Sequence, residues 1–159
     1  MLLIDEKGDY MFNQYLLWTL LIAPWFLLIP LPKEAVKRYM PASIFGALVL
    51  SIVFQMADAL NWWKVKENIF IFSNTTPFVY GLFLVGTLII MYFTYHKAIL
   101  FFITNLLVDS FLAFGVSTWF EYLGIYELQE ISSIHVLLIT TIVAVLIYLF
   151  QKWLDPILK

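Results

Sequence analysis

The sequence predicts an all-α fold: a polytopic transmembrane bundle of five helices, N-terminus outside and C-terminus inside. Three observations lead there. Apolar residues make up 63% of the chain and charged residues 13%, against roughly 45–50% and 25% in water-soluble domains. Mean hydropathy over the whole chain is +0.91. The apolar residues fall into five long runs that do not alternate, which excludes a short-stranded barrel.

Each run is long enough to cross a bilayer core about 30 Å thick, which takes about 20 helical residues. The first covers 10–30. Pro30 and Pro32 close it, and Pro24 inside it predicts a kink. Asp5, Glu6 and Asp9 ahead of it carry the wrong charge for a signal peptide, and no small-x-small site ends it, so it reads as a retained span. The second run covers 41–61 and is expected to open at Pro41, because proline suits the first helical position. The third covers 78–95, with Asn74, Thr75 and Thr76 offered as caps. The fourth covers 98–120 and stops before Gly124. The fifth covers 134–153, capped by Ser132 or Ser133. Between the second and third, 62–77 holds the apolar run Ile69-Phe70-Ile71-Phe72. That run is too short to span and is expected to lie in the interface as an amphipathic or re-entrant piece. Residues 1–159 form one integral membrane domain.

Charge sets the expected orientation. Lys33, Lys37, Arg38, Lys97, Lys152 and Lys159 fall on one side, and Lys7, Lys64 and Lys66 on the other. The positive-inside rule places the richer side in the cytoplasm. Trp62, Trp63, Trp119, Tyr122 and Tyr126 are then expected in the outer aromatic belt, and Tyr39, Tyr95 and Trp153 in the inner one.

The polar residues inside the spans are the candidate functional groups. Ionisable groups in hydrocarbon are expensive and carry function by default. Asp58 and Asp109 are the two carboxylates within the spans, and no basic residue accompanies them there. Ser51, Gln55, Asp58 and Asn61 recur at three- and four-residue steps and share one face of the second helix. Asn105 and Asp109 share a face of the fourth, continued by Ala113, Val116 or Ser117, and Phe120. Two uses are open: polar glue between the second and fourth helices, or steps in a proton or cation path. Glue is the preferred expectation, with Gln55 near the depth of Asp109. At the outer interface, His135 near Glu127 and Glu130 is a candidate for a surface metal or pH-sensing site, an interfacial His at a helix start being the commoner case, and Glu121, Glu127 and His135 together with Asp58 are the candidates for a lipid-acting site. No catalytic, cofactor-binding or metal-ligating set is assigned, and no cofactor is expected. With Cys 0, thiolate chemistry is absent. A net charge of -2 points to no nucleic-acid partner.

Several local patterns carry a resemblance: Arg38-Tyr39-Met40-Pro41, Asn61-Trp62-Trp63, Phe78-Val79-Tyr80-Gly81, Asn105-Leu106-Leu107-Val108-Asp109 and Tyr122-Leu123-Gly124-Ile125-Tyr126. In these and in its layout the chain resembles the small five-span membrane proteins of Firmicutes, many from spore-forming bacilli. The resemblance implies a multi-pass protein of a bacterial plasma membrane. It carries across no activity and no catalytic residue.

The expected function is a non-enzymatic subunit or scaffold that sits in the lipid bilayer and packs with a second copy or another membrane protein. One alternative is a small transporter or channel subunit using Asp58 and Asp109. The other is a membrane-embedded enzyme acting on lipid.

Overall fold

The computed structural model describes residues 2–158, with side chains from Lys7 to Leu158. Lys159, counted above among the inner charges, and the side chains of Asp5 and Glu6 lie outside that range. Among the described residues the fold is all-α apart from one small ribbon, and five helical segments are long and apolar enough to cross a membrane: Lys7–Leu28, Lys33–Ala59, Pro77–Thr94, Ala98–Tyr122 and Ser133–Leu154.

Helix α1 (Leu2–Ile22) passes directly into a 3-10 turn, Ala23–Leu28. The change falls at Pro24, which lacks the N–H that an α-turn requires there. Helix α2 (Lys33–Ala59) corrects one expectation. Pro41 does not open it but sits in its interior. The helix starts eight residues earlier, after an extended Pro32, with Glu34 favourably placed in the positive first turn. The missing N–H of Pro41 costs one backbone bond. Buried neighbours Tyr39, Ala42 and Ser43 hold this turn in place, so the charged segment 33–40 is helix, not loop.

A second correction concerns 62–77. Strand β1 (Trp63–Val65) pairs antiparallel with β2 (Tyr126–Leu128), in register Trp63↔Leu128, Lys64↔Glu127 and Val65↔Tyr126. The loops after the second and fourth spans thus clasp each other. Asn61, with φ 55, makes the left-handed turn out of α2, a conformation asparagine tolerates. Its carbonyl accepts from the Glu130 amide at 3.0 Å. Beyond β1, the Asn68 amide donates to the Ser73 and Thr75 carbonyls at 3.1 and 2.9 Å. That knot buries Ile69 and leaves Phe70 on the surface.

Helix α3 (Leu82–Thr94) follows a 3-10 turn, Pro77–Val79. The expected side-chain cap is not made: Thr76 takes the cap position without a side-chain bond, and Asn74 turns towards α2. Gly81, just ahead of α3, lies against α1. A Cβ there would run into the Leu20 carbonyl oxygen, so only glycine permits the approach. Helix α4 (Ala98–Phe111), a π-turn (Leu112–Val116) and helix α5 (Ser117–Tyr122) make the fourth span. Helix α6 (Ser133–Leu154) is capped by Ser132, with His135 completing the reciprocal box.

Helix α2 packs on α3 and α6, and α4 packs on α6 and α3. The polar faces of α2 and α4 therefore do not meet as the glue expectation required. Two apolar cores are stacked along the bundle. One, under the ribbon, contains Leu17, Leu50, Phe54, Trp63, Ile69, Val85 and Phe120. The other, towards the start of α2, contains Tyr39, Leu88, Met91, Tyr95, Phe101 and Tyr148. Four residues expected in aromatic belts, Tyr39, Trp63, Tyr95 and Tyr126, are instead core residues, while Trp119, Tyr122 and Trp153 are exposed.

Candidate functional site: an intramembrane cavity at Asp109

Beneath the ribbon lies a cavity of about 100 Å³. Asp109 of α4, Ser117 of α5 and Thr140 of α6 line it, with Trp63 and Tyr126 of the two strands. Phe54, Phe78, Phe83 and Phe120 supply much of the remaining wall. The lining contains no basic residue.

The π-turn explains how Asp109 and Ser117 come to share this space. Eight residues apart on an uninterrupted α-helix, they would point about 80° away from each other. A π-turn adds about one residue to the winding and brings them to within about 20°. Ala113, Val116, Ser117 and Phe120, the expected continuation of the Asp109 face, all line the cavity.

Three buried polar atoms on this wall have no hydrogen-bond partner: Asp109 Oδ2, Ser117 Oγ and Trp63 Nε1. Asp109 and Trp63 are only 6% and 4% exposed. A buried polar group without a partner costs about 1–3 kcal/mol, so three around one cavity are a substantial standing cost. Thr140 approaches the Asp109 carboxyl from α6, but its hydroxyl donates to the Leu137 carbonyl at 3.0 Å. At the ribbon end, burial pushes the Tyr126 phenol up to about 12, against the opposing Ser117 hydroxyl and with the Glu121 charge adding to it. Tyr126 is therefore a neutral hydroxyl donor at physiological pH.

The other expected site residues are occupied elsewhere. Ser51 donates to the Ala47 carbonyl at 2.7 Å and meets the Tyr80 hydroxyl at 2.6 Å. Gln55 and Asp58 both accept from the Asn74 amide, at 3.5 and 3.2 Å, away from the cavity. Asn105 donates to the Phe101 carbonyl of its own helix at 2.8 Å. Glu121 accepts from the Leu128 amide at 2.8 Å and holds β2 in place. Glu127 pairs with Lys66 across the ribbon. His135 Nδ1 lies 3.0 Å from the Ser132 hydroxyl, in its capping role. Among the described residues, no group of three or more His, Cys, Asp or Glu is placed to hold a metal ion.

Two polar clusters escaped the sequence reading. Near the ribbon, the Asn13 amide donates to Glu67 at 2.7 Å and to the Leu123 carbonyl at 2.9 Å. Gln14 adds bonds to Glu67 and the Asn68 carbonyl, so α1 is stitched to both loops. At the opposite end, Asp155 accepts from Tyr95 at 2.6 Å, Gln151 at 3.0 Å and Arg38 at 3.2 Å. Burial opposes ionisation of Asp155, but these bonds and the Arg38 charge outweigh it and hold the carboxyl below its ordinary value. The signal for this cluster was present as Arg38 and Asp155 flanking two spans, but nothing in the sequence paired them. The chain matches no family model, no curated protein and no solved structure.

Proposed function

We propose that this chain is a non-enzymatic membrane subunit that holds a small ligand in the cavity at Asp109. The observation that carries the reading is the convergence of three unpartnered buried polar atoms on one space. A structural polar contact would have satisfied them. In this reading Asp109 is neither glue nor one of a pair of ionic steps, since Asp58 is bonded to Asn74 and lines no part of the cavity. A lipid-acting site at Glu121, Glu127 and His135 is disfavoured because each of these side chains already serves the ribbon or a helix cap.

The subunit sits in a bacterial plasma membrane with its N-terminus outside and its C-terminus in the cytoplasm, alone, with a second copy, or with another membrane protein. Support for the orientation comes from Lys33, Lys37, Arg38, Lys97 and Lys152, which flank the Asp155 end, against Lys7 at the N-terminal end and Lys64 and Lys66 in the ribbon segment. The native chain has no cysteine, so single thiols test both claims in intact cells. Gln129→Cys and Ser117→Cys are expected to react with a small membrane-impermeant thiosulfonate from outside, Ser117→Cys more slowly. Lys97→Cys is expected to stay unlabelled until the cells are opened. Ala144→Cys, buried between helices and off the cavity, is the unreactive control. Labelling of Lys97→Cys from outside overturns the orientation. A Ser117→Cys thiol as inert as Ala144→Cys overturns the accessible cavity.

A further inference from the structure

We propose that the ligand is a short linear amino alcohol, bound with its ammonium at Asp109 and its hydroxyl at the Trp63–Ser117–Tyr126 end. The inference rests on the ligand-holding reading above and names the chemistry of the occupant. The two ends of the cavity ask for opposite groups. At the deep end stands a carboxylate with an unpartnered oxygen, and the lining offers it no cation. A ligand cation supplies that charge, and a lining that includes the aromatic residues Phe54, Phe78 and Phe83 suits an organic ammonium better than a hydrated metal ion. At the ribbon end stand hydrogen-bond donors: the free Trp63 N–H and the Ser117 and Tyr126 hydroxyls. These call for an acceptor oxygen. A neutral hydroxyl serves better than a carboxylate. The ammonium already neutralises Asp109, and a further buried anion would meet no positive partner in the lining.

Length narrows the choice. Asp109 and Ser117 are eight residues apart, and because the π-turn between them takes up about one residue of the winding they lie about 10–11 Å apart along the helix axis. Two hydrogen bonds of about 2.8 Å take up part of this span and leave about 5 Å for the ligand between its nitrogen and its oxygen. An extended chain advances about 1.2 Å per bond, so about four to five bonds, a three- to four-carbon linker, fill the gap.

The test is titration calorimetry on the purified full-length protein in lipid nanodiscs, with 4-amino-1-butanol as the probe. It is expected to bind about tenfold or more tightly than 1,4-butanediol, which lacks the cation, and than pentylamine, which lacks the acceptor. 2-Aminoethanol, too short to reach both ends, is expected to fall with the weak pair. Asp109→Asn should abolish the preference over the diol, and Trp63→Phe should reduce the preference over pentylamine. Thermal unfolding of each variant without ligand shows that it is folded. Equal affinity for all four probes overturns the amino alcohol and leaves the cavity reading standing. A preference for 4-amino-1-butanol that survives in folded Asp109→Asn overturns the placement of the ammonium. If no probe binds, the inference fails, and an inert Ser117→Cys thiol then takes the cavity reading with it.

Discussion

Asp155 and Asp109 are both drawn into the bundle, and they differ in their company. Asp155 sits where α2, α3 and α6 converge, and three side chains from those helices donate to its two oxygens. The Arg38 guanidinium also lies over the Tyr39 and Tyr95 rings, 5.4 and 5.9 Å from their centroids. One loose end remains there, the buried Gln151 Oε1. Asp109 sits in the half of the bundle under the ribbon, more deeply buried, and its Oδ2 has no partner at all. The first arrangement ties helix ends together. The second keeps a polar atom available. Asp155 lies just beyond the last span and Asp109 within the fourth, but it is the count of satisfied bonds that assigns their roles.

The largest expected effect is at the satisfied site. Asp155→Ala leaves the Arg38 charge and two buried donors without an acceptor, and is expected to lower stability by about 2 kcal/mol, read as a fall in the thermal midpoint in detergent. Adding Arg38→Ala should cost less than the sum of the two single changes, because they share one network. The same contrast appears in acid. The folded Asp155 carboxyl titrates below its ordinary 3.8. Its contribution is therefore present above that value and is lost as pH falls through the lower folded value. Between pH 5 and about 2, the midpoint of the native chain should drop more steeply than that of Asp155→Asn. Parallel curves would remove Asp155 from its role as a pin.

At Asp109 the expected effect is smaller and of either sign. Asp109→Leu removes a carboxyl whose free oxygen makes no bond and replaces it with an apolar group of similar size. Stability should stay within about 1 kcal/mol of the native chain, or rise. A loss as large as that of Asp155→Ala would break the comparison and restore Asp109 as structural glue.

The smallest effect sharpens the comparison by separating pairing from burial. Glu127 is paired with Lys66, as Asp155 is with Arg38, but both members are about half exposed. Glu127→Gln is expected to cost about 0.5 kcal/mol or less, and the difference should vanish in about 1 M salt, where screening is nearly complete. A large, salt-resistant loss in the thermal midpoint would show that pairing alone, without burial, sets the strength of these contacts.

Much of the architecture was legible in the sequence. The third, fourth and fifth spans, expected at 78–95, 98–120 and 134–153, emerge as Pro77–Thr94, Ala98–Tyr122 and Ser133–Leu154. Pro24 ends regular α-helix as proline should. Pro41 misled because the rule that proline favours a helix start is local, while the start of α2 is held by Arg38 and Tyr39 reaching α6 and α3. The ribbon was missed because each strand is only three residues long. No periodicity is readable over three residues, and the pairing joins segments about 60 apart in sequence.

What the sequence by itself determined is that this chain forms five membrane-length helices and carries Asp109 deep within one of them. Both follow from properties that need no partner: the length of an apolar run against the thickness of a bilayer, and position along a helix. What only the tertiary structure decided is which polar residues are spent on holding the fold and which are left free. Asp58, Glu121 and His135 looked as promising as Asp109 and were claimed by Asn74, Leu128 and Ser132. Trp63 and Tyr126 looked like belt residues and became part of a cavity wall. Hydrogen bonds form only within about 3 Å and in the right direction. Which groups come that close depends on which helices are neighbours and on a π-turn that rewinds one of them, and neither is encoded in any single stretch of the chain.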